Sequence, residues 1–382
     1  MSDTARTVCD WLDYAAPGVR GLQPYLPGKP IEELRRELGL DDIVKLASNE
    51  NPLGPSPLAL NAARDALGEI SRYPDGGGFR LKAALARHHG VDPDGVTLGN
   101  GSNDVLEMVA RVFLAGPSTA GAFAAHAFAV YPIAVQAAGA IAQVGPALPK
   151  DHPRMPFGHD LDALLACLTA ATRVVFIANP NNPTGTWVEA DALLGFLRAV
   201  PRSVIVVVDE AYLEYVNEAD FPDASRWLGE FPNLVVTRTF SKIHGLAGLR
   251  VGYALSHPDV ANLLNRVRQP FNVSLPALAA AEAALADVAH IERSRLLNSA
   301  GLLQLQAGFE RLGLRVLPSR GNFLCVDLRV IAQPVFEALL RLGVIVRPVA
   351  NYGLPTFLRV SVGSSGENAR CLAAFAEVLR RD

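Results

Sequence analysis

The chain of 382 residues is half hydrophobic and 19% charged, with a formal net charge of −3. That length allows two or three domains of ~100–200 residues, and the composition excludes a disordered chain, a collagen-like repeat and a disulfide-stapled miniprotein. The charges are interspersed and form no Lys/Arg stripe, so nucleic acid is not an expected partner.

The chain starts with Asp3, Arg6, Asp10 and Asp13 and no apolar core of a secretory signal, which makes the cytoplasm the expected compartment. Cys9, Cys167, Cys325 and Cys371 lie far apart with no CxxC pair, so free thiols are expected and no metal site. Residues 1–47, rich in Pro and Gly around Pro24–Pro30, do not resemble an independent domain and are expected to pack against the C-terminal part. Gly76-Gly77-Gly78 is followed by Phe79 and Arg80 and reads as a turn, not as a Walker-type phosphate loop.

In Leu98-Gly99-Asn100-Gly101-Ser102-Asn103-Asp104 the glycines let backbone N–H groups approach an anion where a helix begins. Val105, Leu106, Val109, Val112 and Phe113 form the apolar stripe of that helix, with Ser102 or Asn103 as the expected N-cap. Val112 to Pro149 contains no Asp, Glu, Lys or Arg, but Pro117, Pro132, Gly139 and Pro146 break the run, so it reads as buried strand and helix rather than a membrane span. Buried strands are predicted at Arg173–Ala178, Ser203–Val208, Leu234–Thr239 and Arg250–Leu255. Strands alternating with helical patterns predict an α/β fold, a mostly parallel sheet covered on both faces. From Pro276 to Gly313 a long helical pattern follows, then short strands around Asn322–Leu328, Val344–Arg347 and Phe357–Val362, which predict a smaller α+β domain. The expected divisions are 1–47, 48–270 and 271–382.

Three strand ends carry chemistry-bearing residues, and the carboxyl ends of parallel strands are where such sheets bind ligands. After the first comes Asn179-Pro180-Asn181-Asn182-Pro183-Thr184-Gly185, a rigid turn from which Asn182 could donate to a ligand oxygen. The second ends in Asp209-Glu210, a carboxylate suited to a protonated heterocyclic nitrogen or to Mg²⁺, the latter without the phosphate loop that usually accompanies it. The third runs Thr237-Arg238-Thr239-Phe240-Ser241-Lys242, with Arg250 eight residues on. An amine there suits a Schiff base next to a bound phosphate, and it equally suits an exposed structural lysine.

In order and spacing, these segments resemble the fold-type-I aminotransferases that use pyridoxal 5′-phosphate. The phrases Leu46–Gly54, Arg72-Tyr73-Pro74-Asp75, Thr239–Arg250 and Arg347–Pro355 are similar to those of the histidinol-phosphate aminotransferase family, over nearly the whole chain. The resemblance implies a three-layer large domain with a mostly parallel sheet and a smaller α+β domain. It implies transamination of L-histidinol phosphate with 2-oxoglutarate, and a homodimer with shared active sites, in which the N-terminal arm packs on the small domain and on the partner subunit.

By the same resemblance Lys242 would form the Schiff base and move the substrate proton, Asp209 would hold the pyridine nitrogen, and Tyr212 and Asn182 would bond the ring hydroxyl. Gly101, Ser102, Asn103, Ser241 and Arg250 would surround the cofactor phosphate, and Tyr73 would reach it from the neighbouring subunit. Phe128 would stack on the ring, where many members have Pro-Thr-Tyr in place of His126-Ala127-Phe128. Tyr25, Asn49, Arg347 and Arg359 would bind the substrate. Two guanidinium groups and a phenol suit a phosphate dianion, while Arg359 by itself also suits an α-carboxylate, as in an aromatic or other amino-acid aminotransferase. A cofactor-sensing DNA-binding regulator lacks its helix-turn-helix and basic patch here, and a lyase or decarboxylase on the same scaffold is told apart by its products.

Overall fold

The computed structural model describes residues 11–25 and 27–380, so Asp3, Arg6, Asp10 and Cys9 lie outside the described residues. Its strands in chain order are β1 (Val44–Lys45), β2 (Val96–Gly99), β3 (Ala120–Ala124), β4 (Ile141–Gly145), β5 (Thr172–Ala178), β6 (Ile205–Asp209) and β7 (Leu234–Thr239). There follow β8 (Gly252–Ser256), β9 (Arg315–Val316), β10 (Phe323–Asp327), β11 (Val344–Ile345), β12 (Arg347–Pro348) and β13 (Phe357–Ser361). The β-branched runs of the sequence thus become the central strands, because only a position buried on both faces is well served by continuous Val and Ile.

The large sheet has seven strands in the order β2-β8-β7-β6-β5-β3-β4. Its strands are parallel except β8, which runs antiparallel to both neighbours. Successive side chains alternate between two cores. Val206, Val208 and Val236 enter one, with the Ala190–Ala199 and Leu275–Ala286 helices. Ile205, Val207 and Val235 enter the other, with the Ser102–Phe113 and Pro258–Val267 helices. Each fully buried aliphatic side chain contributes about 1.5–3 kcal/mol, so this double burial fixes register, and a slip by one residue would exchange the two faces. The uncharged stretch forms β3, the Val130–Ala137 helix and β4, and among the described residues no helix is long and apolar enough to cross a membrane.

A second, antiparallel sheet has the order β12-β13-β10-β9 and packs under the Val288–Arg311 and Ser365–Val378 helices through Leu305, Phe309 and Phe375. The short β1 pairs in parallel with β11, and Leu34 of the Ile31–Leu38 helix packs with Ala47 and Ile345, which ties the arm to this smaller unit.

The structure departs from expectation in three places. The helical pattern from Pro276 breaks at Asp287, whose backbone leaves the helix (φ −87, ψ 70) and whose side chain caps the next helix by accepting from the His290 N–H. With neither Gly nor Pro at the break, the sequence carried only a single capping aspartate as its signal. Because the Leu275–Ala286 helix buries Ala277, Ala280, Ala281 and Ala284 in the large-domain core, we place the division between the two cores at Asp287 rather than at 270. Val344–Arg347 is not one strand: Val344–Ile345 pairs with the arm and Arg347–Pro348 with β13. The helix after the glycine loop is capped by Gly101 (φ 78) with no side-chain bond, so neither Ser102 nor Asn103 is the N-cap.

Candidate active site

The carboxyl ends of β5, β6 and β7, the loop from β2 into the Ser102–Phe113 helix, the segment after β1, and strands β12 and β13 surround one cavity of about 220 Å³. Strand alternation decides which side chains reach it. Asp209 follows Ile205 and Val207 onto the face of the Ser102–Phe113 helix, and Thr239 joins it in the cavity wall. Arg238 takes the opposite face, where it is buried against Glu210 (2.8 Å) and Asp223 (2.6 Å). The two carboxylates ending β6 are therefore separated, and Glu210 serves the core.

Lys242 lines the cavity and is otherwise walled in by protein; its Nζ donates to the Ser48 carbonyl (3.2 Å) and lies 5.6 Å from the centre of the Tyr212 ring. Burial and the nearby guanidinium groups of Arg359 and Arg250 push its pKa from 10.5 down to about 7, against the pull of Glu50 and Asp209. Asp209 accepts from Tyr131 Oη at 2.9 Å through Oδ2, while its Oδ1 has no hydrogen-bond partner among the described residues. Burial raises the Asp209 pKa, and Tyr131, Thr237, the Ala211 amide and Lys242 oppose that rise. Tyr212 Oη accepts from Asn49 Nδ2 (2.9 Å), and burial pushes the phenol up to about 12.

One end of the cavity is an anion cradle. Ser102, Asn103, Thr239, Ser241 and Arg250 line it, and Arg250 Nη1 donates to Ser241 Oγ at 3.2 Å. Gly101 stands beside them at φ 78, a backbone conformation that favours glycine, and a Cβ there would push on the Arg250 guanidinium. Helix N–H groups, three hydroxyls and a permanent cation make a site for a phosphate.

At the other end Arg347 and Arg359 face each other in register across β12 and β13. Arg359 donates to Asn182 Oδ1 and to the Ala47 carbonyl (2.7 Å). The Arg347 guanidinium lies 5.8 Å from the Tyr25 ring centre, and Tyr25 is 48% exposed at the cavity mouth. Asn49 is fixed by Ser361: its N–H donates to Ser361 Oγ (2.8 Å), which in turn donates to Asn49 Oδ1 (2.9 Å). Phe128 lines the cavity with its ring edge-to-face with Tyr131, 5.8 Å between centres.

Thus Lys242, Asp209, Tyr212, Ser102, Asn103, Phe128, Asn182, Ser241, Arg250, Tyr25, Asn49, Arg347 and Arg359 meet in one cavity, with Gly101 behind its wall. Tyr73 does not: it is 81% exposed and stacks on Phe271, 4.6 Å between ring centres, away from the cavity. The sequence reading gave no part to Thr239, to the Ala47 and Ser48 carbonyls or to Tyr131. Thr239 was reachable from strand alternation, whereas the others depend on contacts between distant segments.

The family model for aminotransferase class I and II matches residues 41–375. The chain is 60% identical over 374 residues to histidinol-phosphate aminotransferase 2 of Pseudomonas fluorescens (strain Pf0-1), covering 97% of this chain and 99% of that protein. It is 59% identical over 375 residues to histidinol-phosphate aminotransferase 2 of Pseudomonas aeruginosa, covering 98% of this chain and 100% of that protein. Among solved structures, histidinol-phosphate aminotransferase from Sinorhizobium meliloti in complex with pyridoxal 5′-phosphate superimposes with a TM-score of 0.87 at 30% identity, covering 100% of this chain and 99% of that one.

Proposed function

The chain belongs to aminotransferase class I and II, within its histidinol-phosphate aminotransferases, and from that premise we propose that it moves the amino group of L-histidinol phosphate to 2-oxoglutarate, giving imidazole-acetol phosphate and glutamate in histidine biosynthesis. The observation that carries the substrate is the Arg347–Arg359 pair. An amino-acid carboxylate needs one guanidinium fork, whereas a phosphate dianion rewards two cations and a phenol at the same end of the cavity.

The cofactor is pyridoxal 5′-phosphate, and the residues present fit it. A buried carboxylate with one unpartnered oxygen faces the cavity, as a protonated ring nitrogen requires, and the cradle around Gly101 and Arg250 has the donors and the charge for its phosphate. When bound, the cofactor supplies the carbonyl that exchanges with the amino group and a ring that withdraws electrons from the substrate's Cα.

The protein's own groups do the rest. Lys242, with its pKa brought to about 7, is available as the free amine near neutral pH and takes and returns the proton at Cα. Asp209 holds the ring nitrogen protonated, Phe128 covers the ring face, and Tyr212 and Asn182 bond the ring hydroxyl oxygen. Ser102, Asn103, Ser241 and Arg250 anchor the cofactor phosphate. Tyr25, Asn49, Arg347 and Arg359 orient the substrate so that its Cα proton faces Lys242.

We also place the protein in the cytoplasm, which suits the free thiols of Cys167, Cys325 and Cys371, and in a homodimer in which Tyr73 serves the neighbouring subunit's cofactor phosphate. Exposure of Leu67, Ile70, Tyr73, Phe79 and Phe271 supports a covered face in that part of the chain.

Rapid mixing of the holoenzyme with L-histidinol phosphate, glutamate, aspartate or phenylalanine, followed by cofactor absorbance, tests the substrate. Fast conversion is expected with histidinol phosphate and glutamate and slow conversion with phenylalanine; the reverse pattern would make it an aromatic amino-acid aminotransferase. Arg347→Met is expected to raise KM for histidinol phosphate by about 10- to 100-fold, with a much smaller effect on glutamate, since uniform binding to the phosphate is lost.

A further inference from the structure

We propose that Tyr131 is the positioning residue that fixes the two partners of the cofactor ring, Asp209 at its nitrogen and Phe128 on its face. The inference rests on the reading of this cavity as a pyridoxal-phosphate site.

Tyr131 is fully buried and does not line the cavity, so it acts through others. It lies at the start of the Val130–Ala137 helix, the next element after β3, just beyond the short segment that carries Phe128. Its hydroxyl donates to Asp209 Oδ2 at 2.9 Å, which leaves Oδ1 as the oxygen without a partner. Its ring is stacked on Phe176 of β5, 5.0 Å between centres and 11° between planes, so the hydroxyl is held in one direction. The same ring meets Phe128 edge-to-face at 5.8 Å. A rigid aromatic platform thus carries a donor for the carboxylate and a wall for the stacking ring, both from one side chain.

The hydroxyl has a second consequence. A buried carboxylate is costly unless hydrogen-bonded, and Tyr131 is the foremost of the groups that offset the burial of Asp209. A carboxylate that keeps its donor is also less basic, so the shared proton stays on the ring nitrogen and the ring stays positive. The other groups facing Asp209 are Thr237, the Ala211 amide, Lys242 and Tyr212, and those facing Lys242 are Arg359, Glu50, Arg250 and Asp209.

Tyr131→Phe keeps the ring and its packing and removes only the hydroxyl. The dissociation constant of pyridoxal 5′-phosphate from the full-length protein, measured by equilibrium dialysis, is expected to rise about tenfold. The pH midpoint of the holoenzyme's cofactor absorbance is expected to move up, because a less positive ring holds the proton on the nitrogen of Lys242 more tightly. In an Asp209→Asn background the same substitution should change neither quantity. An unchanged affinity and midpoint in Y131F, or an equal loss in both backgrounds, overturns the role given to Tyr131 while leaving the site intact. If Asp209→Asn by itself alters neither affinity nor absorbance, the placement of the ring nitrogen at Asp209 fails, and the proposal fails with it.

Discussion

Lys242 owes its usefulness to its neighbours. A lysine in water is protonated at pH 7, and here burial together with the guanidinium groups of Arg359 and Arg250 brings the pKa to about 7. Lys242→Ala is expected to lower transamination at least about a thousandfold, measured with histidinol phosphate and 2-oxoglutarate; a wild-type rate would remove the lysine from the mechanism. The same shift has a stability consequence in the cofactor-free protein. Between pH 7 and 10.5 the unfolded chain holds the lysine's proton and the folded chain does not, so stability rises with pH across that window. Lys242→Met should therefore raise the melting temperature most at pH 7 and below, with the gain fading toward pH 10.5; a gain independent of pH would mean that the amine is not desolvated. Lys242 and Asp209 were legible in the sequence because each closes a β-branched run at a strand's carboxyl end. Tyr131 was not, since its hydroxyl matters only once the helix after β3 is laid beside β6.

At the scale of elements, β6 and β7 present opposite chemistry on their two faces. Asp209 and Thr239 line the cavity, while the buried Glu210 and Arg238 and the half-buried Asp223 form an ion cluster on the opposite face. Glu210 also accepts from the Ala224 amide (2.8 Å), so the cluster ties the end of β7 to the loop that follows β6. Arg238→Met leaves the buried Glu210 carboxylate without its cation and is expected to destabilise the protein by about 3–5 kcal/mol. Chemical denaturation would measure it, and adding Glu210→Gln should recover part of the loss; an unchanged midpoint would show that the cluster is solvated. Period-two alternation made this division readable in principle. The sequence put Asp209 and Glu210 side by side, and their separation followed only from the sheet's two covered faces.

At the scale of the whole molecule, Tyr73 is exposed and stands outside the lining of its own chain's cavity. If it serves the neighbouring subunit, mixing Tyr73→Ala and Lys242→Ala chains under conditions of subunit exchange should restore activity. Half of the dimers would then be hybrids, each with one intact site, giving about a quarter of the wild-type value. No recovery on mixing would place the tyrosine's action within its own chain or nowhere near the site.

Much of this protein was determined by its sequence alone. Buried β-branched runs must form central strands, polar residues following them must gather at the sheet's carboxyl edge, and the motifs around Lys242, Asp209 and Asn182 carry a resemblance that the relatives at about 60% identity bear out. Tertiary structure decided what depends on distance through space. It set Arg347 opposite Arg359 across two strands, broke a helix at Asp287 where only a capping carboxylate marked the place, and brought a tyrosine from one helix under the carboxylate of another strand. Local pattern reports which face of an element is apolar; it does not report which element that face will meet, because the partner is chosen by packing over the whole chain.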